Sequence, residues 1–131
     1  MNIAGLIKTM PGYIGSTGRA ERDITSAENQ LCCTFAKDYH DYLKEIGLAS
    51  FDGHELTGLT KTARLDVVSI SIEQRQNFDN TVSSWYVVEE IGLDGIVIWQ
   101  ASSGEIYQTA PGKTYKKIYD SLADYLINTS K

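Results

Sequence analysis

The segment covering residues 24–59 limits the possible folds of this chain more than any other. Apolar side chains recur every three or four positions over residues 24–46, a spacing that predicts one amphipathic helix or two successive helices with a bend between them. Gly47 follows, at the position where a helix commonly ends in a left-handed residue. Residues 55–59 then predict a short strand, so the chain turns from helix to sheet soon after Gly47.

Capping chemistry predicts where this helical segment begins. Thr25 and Glu28 have the spacing of a capping box, in which the threonine hydroxyl accepts a hydrogen bond from an early helical amide and the glutamate reaches back to the cap. We therefore expect the helix to start at Thr25. Before it, residues 3–10 predict a short apolar helix, and the proline and glycines of residues 11–22 predict a loop.

The middle of the chain predicts an antiparallel sheet. Residues 68–72 alternate apolar and polar side chains, as a strand does when one of its faces is buried. Three further strands are predicted at residues 86–91, 96–100 and 105–109. The turns between these three strands are short and contain glycine, which makes neighbouring strands antiparallel.

The end of the chain predicts a final helix. Thr114 is its expected cap, because Tyr115, Ile118 and Leu122 follow at helical spacing. Helices at both ends, with strands grouped between them, indicate an α+β fold built on a central, mostly antiparallel meander. The 131 residues, 42% of them hydrophobic, suit a single domain over residues 1–131 that buries about two thirds of its unfolded surface.

The charge of the chain narrows its possible partners. Seventeen acidic residues against twelve basic ones give a net charge of -5, which opposes binding to nucleic acid or to an anionic membrane and suits a basic protein partner. The first residues have no basic leader, and no apolar run approaches the roughly 20 residues of a membrane span. We therefore expect a cytoplasmic protein.

Neither the cysteines nor the glycines indicate a cofactor site. Cys32 and Cys33 are adjacent, and neighbouring side chains on a helix point about 100° apart, so the pair suits neither a disulfide nor a metal site. We expect reduced thiols, with Cys32 on the apolar face of the helix. Gly12, Gly15 and Gly18 are not followed by the Gly-Lys-Ser/Thr ending of a phosphate-binding loop, so no nucleotide is expected.

The histidines form no recognisable catalytic or metal-binding group. His40 and His54 lie in different predicted elements, and neither has a second ligand at a metal spacing. Asp38 and Asp41 flank His40, but a solvated helical face accounts for all three residues. No metal and no catalytic residue are therefore predicted.

The first strand of the meander carries two pairs of neighbours whose side chains point to opposite faces. For Trp85 and Tyr86, this alternation predicts that one aromatic side chain packs inward and that the other lies nearer the surface or under a helix; an exposed one is a candidate for an interface. For Glu89 and Glu90, the same alternation prevents the neighbours from acting as a paired acid and base.

Short motifs over residues 24–126 resemble the SUKH superfamily, which includes bacterial immunity proteins and the fungal cell-wall-synthesis regulator. The motifs are Ile24-x-x-Ala27-Glu28-x-x-Leu31, Phe35-x-x-Asp38-Tyr39-x-x-Tyr42-Leu43, Gly47, Glu55-Leu56-x-Gly58-Leu59, strands with Gly95 and Gly104, and Ser121-Leu122-x-x-Tyr125-Leu126. The resemblance implies a central sheet wrapped by helices. It also implies that the protein neutralises a toxin domain by stoichiometric binding, without catalysis.

We therefore expect an immunity protein, without cofactor or enzymatic activity, whose partner is a toxin domain encoded next to it. The protein is expected to be a monomer or a weak homo-oligomer. One alternative is a regulatory or scaffold module without a toxin partner, and another is a small enzyme that uses His40 or His54. Acidic residues and an exposed aromatic side chain are expected to contact the partner, and the candidates are Asp52, Glu55, Trp85, Tyr86, Glu90 and Asp94.

Overall fold

The computed structural model describes residues 2–129, in which two antiparallel sheets are flanked by helices. This architecture confirms the predicted α+β class. The helices are α1 (Ile3–Lys8), α2 (Glu21–Leu31), α3 (Lys37–Glu45), α4 (Val67–Arg75) and α5 (Leu122–Thr129). The strands are β1 (Ile14–Gly15), β2 (Ala49–Phe51), β3 (His54–Glu55), β4 (Tyr86–Glu90), β5 (Val97–Gln100), β6 (Ile106–Thr109) and β7 (Lys116–Tyr119). Short 3-10 helices lie at Ala63–Leu65 and Asn80–Ser84.

The larger sheet is the predicted meander with one additional strand. Its order is β4-β5-β6-β7, with antiparallel neighbours throughout and with Tyr86 opposite Gln100. The smaller sheet has the order β1-β2-β3. A hydrogen bond from the amide of Thr57 to the carbonyl of Val88, at 2.9 Å, joins the segment after β3 to the edge of β4. The two sheets therefore lie side by side at β3 and β4.

The larger sheet packs against a core on each face along β4 and β5, where successive side chains point to opposite sides. On one side, Tyr86, Val88 and Ile98 belong to the main core, together with apolar residues of α1, α2, α3 and α5. On the other side, Val87 and Trp99 belong to a second core, which α4 and the 3-10 helix before β4 complete. The meander is thus the middle layer of the domain.

Trp85 and Tyr86, at the start of β4, are both buried, so neither is the exposed aromatic residue expected at an interface; Trp85 lies in the core that α4 covers, which is the other predicted position. Trp85 is 7% exposed and stacks on Tyr107, with ring centroids 4.1 Å apart. Tyr86 is 0% exposed; its hydroxyl accepts a hydrogen bond from the amide of Ala36 at 2.8 Å and donates one to Gln100 Oε1 at 2.7 Å. The two side chains point to opposite faces of the sheet, and both are buried because each face has its own core.

The segment over residues 24–46 forms two helices, α2 and α3, and the predicted start of the first is wrong. α2 begins at Glu21 rather than at Thr25. The carboxylate of Glu28 accepts a hydrogen bond from the amide of Phe35 at 2.7 Å, beyond the end of α2. Glu28 therefore stabilises the connection between the two helices and is not part of a capping box.

The two cysteines lie at the break between these helices. Cys32 has a left-handed φ of 54°, which ends α2, and its side chain is exposed, so its predicted place on the apolar face is wrong. Cys33 is half-buried against the main core. Burial raises the pKa of the Cys33 thiol. Both thiols are free, as predicted.

Residues 68–72 lie in helix α4, and the predicted strand is wrong. Asp66 caps this helix, because its Oδ2 accepts hydrogen bonds from the amide of Ser69 at 3.1 Å and from the Ser69 hydroxyl at 2.9 Å. Ser71 is buried, and its hydroxyl accepts a hydrogen bond from the amide of Val87 in β4 at 2.9 Å. Ile72, in contrast, is 45% exposed. The apolar side chains of residues 68–72 therefore do not share one buried face, although their alternation with serines suggests it.

The final helix begins later than predicted from Thr114. Lys116–Tyr119 form the fourth strand of the meander, paired with β6. α5 begins at Leu122, whose amide donates a hydrogen bond to Asp38 Oδ2 at 2.9 Å. A side chain of α3 therefore fixes the start of a helix that lies far away in the sequence.

Gly47 has the left-handed conformation that the sequence predicts, with a φ of 81°. Its amide donates a hydrogen bond to the carbonyl of Tyr42 at 3.0 Å, which closes the end of α3. The strand predicted at residues 55–59 is shorter and earlier, His54–Glu55. The chain beyond this strand returns to the helix end, where the amide of Leu59 donates to the carbonyl of Gly47 at 3.2 Å.

Candidate functional site

A cleft of about 540 Å³ opens where the two sheets meet. It is lined by the β2–β3 hairpin, by α5 and by strands of the meander. We call it the acidic cleft. Its lining residues are Gly53, His54, Glu55, Glu89, Glu90, Ile91, Ile96, Ile98, Gln108, Lys116, Ile118, Tyr119, Tyr125 and Thr129.

A β-bulge in β4 aims Glu89 into the cleft. The register with β5 shifts between Val87 and Glu89, so that Val88 and Glu89 both face the side of the main core. Glu90 is exposed, and its Oε2 accepts a hydrogen bond from Gln74 of α4 at 2.7 Å. The predicted opposite orientation of the two glutamates is confirmed, since one is buried and the other reaches the surface.

Glu89 is 4% exposed and is hydrogen-bonded through both carboxylate oxygens. Oε1 accepts a hydrogen bond from the Tyr125 hydroxyl at 2.5 Å and lies 2.8 Å from His54 Nδ1, while Oε2 accepts one from the amide of Glu55 at 2.9 Å. Burial and the neighbouring carboxylate raise the pKa of Tyr125, so the phenol keeps the proton that it donates. Glu89 thus links the β2–β3 hairpin to α5.

The contacts of His54 fit a doubly protonated ring. The Thr129 hydroxyl donates its proton to the carbonyl of Tyr125 at 2.6 Å, so its oxygen is available as an acceptor for His54 Nε2, 3.1 Å away. The other ring nitrogen faces the Glu89 carboxylate. The hydrogen bond to Glu89 raises the pKa of His54, and this effect exceeds the opposing effect of burial. Both ring nitrogens are therefore engaged within the chain.

We expect the stability contributed by His54 to decrease as the pH rises. Its pKa in the unfolded chain is 6.5, and the folded value is higher, so the contribution is complete below pH 6.5 and is lost as the pH passes the folded pKa. Urea unfolding at about pH 6 and about pH 8 measures the loss. The loss should be smaller in His54→Gln than in the unsubstituted protein, and an equal loss in both proteins would contradict a raised pKa.

The exposed carboxylates of Glu55 and Glu90 lie at the rim of the cleft, where each is hydrogen-bonded within the chain. Both oxygens of Glu55 accept hydrogen bonds from the guanidinium of Arg64, at 3.1 and 3.2 Å, and both side chains are more than half exposed. Arg64 lowers the pKa of Glu55, which keeps this carboxylate charged at neutral pH. Ion pairs this exposed contribute little to stability. Lys116, contributed by β7, is a cation on the same cleft.

The acidic residues predicted to bind a partner lie in or next to the acidic cleft. Glu55 and Glu90 line it. Asp94 lines an adjoining cavity of about 500 Å³, and Asp52 lies in the turn of the β2–β3 hairpin, with a φ of 46°. The two predicted aromatic residues lie in the cores, as described above. A role of the acidic residues in binding remains a prediction.

Sequence analysis missed the contribution of β7 and α5 to the cleft. Tyr119 and Tyr125 both line it, with ring centroids 5.9 Å apart, although helical spacing assigns them to one helix. Ile96 and Ile118, both half-buried, give the cleft apolar surface. The signal that separates the strand from the helix is Ser121, whose hydroxyl accepts a hydrogen bond from the amide three residues later at 3.1 Å.

His40 lies on a different surface, between α2 and α3. Its Nε2 is 3.0 Å from Glu21 and its Nδ1 is 3.6 Å from Asp41, as expected of a solvated helical face. Asp38 differs from that prediction, because its Oδ1 accepts a hydrogen bond from Gln100 Nε2 at 2.9 Å inside the domain. Within residues 2–129, no group of three histidine, cysteine, aspartate or glutamate side chains is placed to hold a metal ion.

None of the helices described between residues 2 and 129 has the length and apolar character needed to cross a membrane.

The fold and the cleft define an α+β domain in which a meander packs between two cores and the acidic cleft lies next to a small second sheet. A family model described as SMI1-KNR4 cell-wall, SUKH_5, matches residues 3–130. The chain belongs to this family, and the predicted membership of the SUKH superfamily is confirmed. Members of the family are generally non-catalytic. A comparison with curated proteins found no match.

Proposed function

We propose that the protein is an immunity protein that neutralises a cognate toxin domain by binding it at the acidic cleft. The observation that carries this proposal is the cleft itself, an open surface with exposed carboxylates on its rim and apolar side chains in its lining, in a domain of the SUKH superfamily. Protein interfaces commonly combine an apolar centre with a polar rim. The acidic cleft has that composition.

The hydrogen bonding within the cleft supports binding rather than catalysis. A general acid or base needs a titratable atom within reach of the substrate. Both nitrogens of His54 and the hydroxyl of Tyr125 are already bonded to partners within the chain, and so are both oxygens of Glu89. These groups hold the walls of the cleft together. The proposed function therefore involves no turnover.

The charge of the chain supports a basic partner. A net charge of -5 attracts a positively charged domain over long distances and raises the rate of association, an effect that salt weakens. Many toxins that act on nucleic acid have to carry a basic surface, because they bind phosphates. A protein that covers such a surface benefits from exposed carboxylates such as Glu55 and Glu90.

Co-expression with the toxin encoded beside the gene tests this proposal. We expect restored growth and a 1:1 complex in size-exclusion chromatography. The double variant Glu55→Lys/Glu90→Lys should weaken the affinity by about tenfold or more, mostly through slower association. Asp23→Lys/Glu45→Lys is the matched control, since it makes the same change in charge at exposed positions outside the cleft.

Two results would count against the proposal. Failure to form any complex with the neighbouring toxin would exclude the immunity role for that pair. Equal loss of affinity in the cleft variant and the control variant would show that total charge matters and that the cleft is not the binding surface.

The family description also supports a second candidate function. The family is described by the SMI1-KNR4 cell-wall proteins and not by a toxin, so a regulatory or scaffold module without a toxin partner is the alternative. This alternative predicts a complex with a protein other than a toxin and no protection in the co-expression experiment.

A further inference from the structure

We propose that Lys116 and Lys117 keep the open edge of the meander from pairing with a second copy of the chain, so that the protein stays a monomer. This inference goes beyond the proposed function and does not depend on it. An edge strand presents unpaired backbone amides and carbonyls, which form a template for a strand of another chain. A protein that exposes such an edge therefore needs a feature that makes pairing unfavourable.

The two edges of the meander differ in what covers them. At β4, the segment after β3 lies against the edge, where the amide of Thr57 donates a hydrogen bond to the carbonyl of Val88 at 2.9 Å. Among the residues that the structure describes, β7 pairs with β6 alone. A cavity of about 430 Å³ lies beside β7, lined by residues 117–120 and by Asp124 and Asn128 of α5. β7 is therefore the accessible edge.

The accessible strand carries a cation on each of its faces, and the covered strand carries none. The register places Lys116 opposite Gln108, on the side of the acidic cleft, and Lys117 opposite Tyr107, on the side of the second core. Both lysines are exposed. The sequence of β4, in contrast, is Tyr-Val-Val-Glu-Glu. A strand added to β7 would therefore have an ammonium group beside it on either face.

These charges oppose pairing with a second copy in particular. Antiparallel pairing of two β7 strands brings four ammonium groups within the length of one strand, about 13 Å for four residues. Salt screens charges over a comparable distance, about 8–10 Å, so repulsion persists across the junction. Lys117 forms an exposed ion pair with Asp120, at 2.5 Å. This ion pair weakens the repulsion from Lys117, but pairing would remove water from both of its charges, which is also unfavourable.

A β-bulge in the pairing of β7 with β6 acts in the same direction. The register steps from Tyr119, opposite Ile106, to Lys117, opposite Tyr107, and skips Ile118. A bulge bends its strand and increases the local twist, so the edge is a poor match for a flat partner strand. The lysines are the part of this arrangement that substitution removes without changing the backbone.

Size-exclusion chromatography with light scattering tests the inference on the isolated chain. We expect the unsubstituted protein to be monomeric at about 1 mM, and Lys116→Val/Lys117→Val to self-associate with a dissociation constant of about 0.1 mM or lower. Valine favours strands, so this variant is expected to fold. Lys116→Glu/Lys117→Glu keeps a charge on each face and should stay monomeric. So should the matched control Lys61→Val/Lys113→Val, which makes the same substitutions at exposed positions outside the strands.

Hydrogen exchange locates the contact between the copies. In Lys116→Val/Lys117→Val at high protein concentration, amides of β7 should exchange at least about tenfold more slowly, and those of β4 should be unchanged. Thermal unfolding shows that each variant is folded. If the double variant is not, the single variants Lys116→Val and Lys117→Val provide the same comparison, each with an increase in association of about threefold.

Four results would overturn the inference. They are a dimer of the unsubstituted protein with protected β7 amides, a folded Lys116→Val/Lys117→Val that is monomeric at about 1 mM, equal association of the matched control, and association without slower exchange in β7. None of these measurements involves a toxin, so their outcome is separate from that of the immunity role.

Discussion

Replacing Glu89 with alanine is expected to lower the free energy of unfolding by about 3 kcal/mol. The side chain accepts hydrogen bonds from the Tyr125 hydroxyl and the Glu55 amide and faces the imidazole of His54, all in a site with almost no solvent. Alanine leaves these donors without an acceptor, and an unpaired buried donor loses its hydration without replacement. Urea denaturation at pH 7, with a two-state fit, measures the change.

Glu90→Ala is the matched control, since the residue is adjacent, of the same type and exposed. It should change the free energy of unfolding by no more than about 0.5 kcal/mol. Glu89→Gln should fall between the two alanine variants, because the amide oxygen still accepts from part of the network. Equal stability of the two alanine variants would mean that the network around Glu89 does not hold the fold together.

The Glu89 network also prepares the cleft for a partner. His54 belongs to the small sheet, Glu89 to the meander and Tyr125 to the last helix, so the network joins three elements that are far apart in the sequence. A wall held in place before binding loses less conformational entropy when the partner arrives. The structural role of these buried groups therefore supports the proposed binding role of the exposed glutamates.

The meander could be predicted from the sequence because its signals are local. The turn between β4 and β5 contains Asp94 and Gly95, both with positive φ, and the turn between β5 and β6 contains Gly104, also with positive φ. Such residues specify tight turns, and tight turns make neighbouring strands antiparallel. The glycine that ends α3, Gly47, is predictable for the same reason.

Helix α4 could not be predicted from alternation, because its serines do not lie on a solvated face. Ser71 is buried and bonds to the amide of Val87 in β4, a partner that the local pattern does not reveal. The local signal that indicates a helix is Asp66, three residues before Ser69, which caps it. The periodicity of an apolar run this short does not distinguish a helix from a strand.

The start of α5 depends on a contact between distant parts of the chain. Tyr115, Ile118 and Leu122 have helical spacing, yet the first two precede the helix, and Ile118 lies in β7. Asp38 of α3 binds the first amide of α5, and no pattern within the last residues indicates this acceptor. The same limit applies to the cleft. Tyr119 lies in β7 and Tyr125 in α5, and their places in the cleft wall could not be predicted while helical spacing put both residues in one helix.

The places of exposed charges could be predicted from the sequence better than the places of buried side chains. Glu55 and Glu90 are exposed and line the cleft, and their contact with a partner stays a prediction. Trp85 and Tyr86 were interface candidates because neighbours in a strand point to opposite faces, so one of the two was expected nearer the surface or under a helix. The second core, which covers the other face, removes both from the surface.

Gly58→Ala is expected to lower the free energy of unfolding by about 3 kcal/mol, the upper part of the usual range for overpacking. A Cβ atom at Gly58 would lie 2.0 Å from the carbonyl oxygen of Gly47 and 3.0 Å from its carbonyl carbon. Neither segment can move away easily, because Gly58 is bonded to the carbonyl of Leu65 and the amide of Val67, at 2.9 and 2.8 Å. Thermal and urea unfolding measure the effect.

Gly112→Ala separates this steric effect from the effect of backbone conformation. Gly112 has a positive φ of 72° and no atom within 4 Å of an added Cβ, so alanine there should cost about 1 kcal/mol through the backbone alone. Gly58 is not among the glycines with positive φ, so its cost comes from the close approach of the two segments. Equal stability of Gly58→Ala and Gly112→Ala would mean that the segment after β3 can move away from the carbonyl of Gly47 and make room for a Cβ atom. The glycine that ends the helix and the glycine of the strand motif are therefore expected to act as one packing unit.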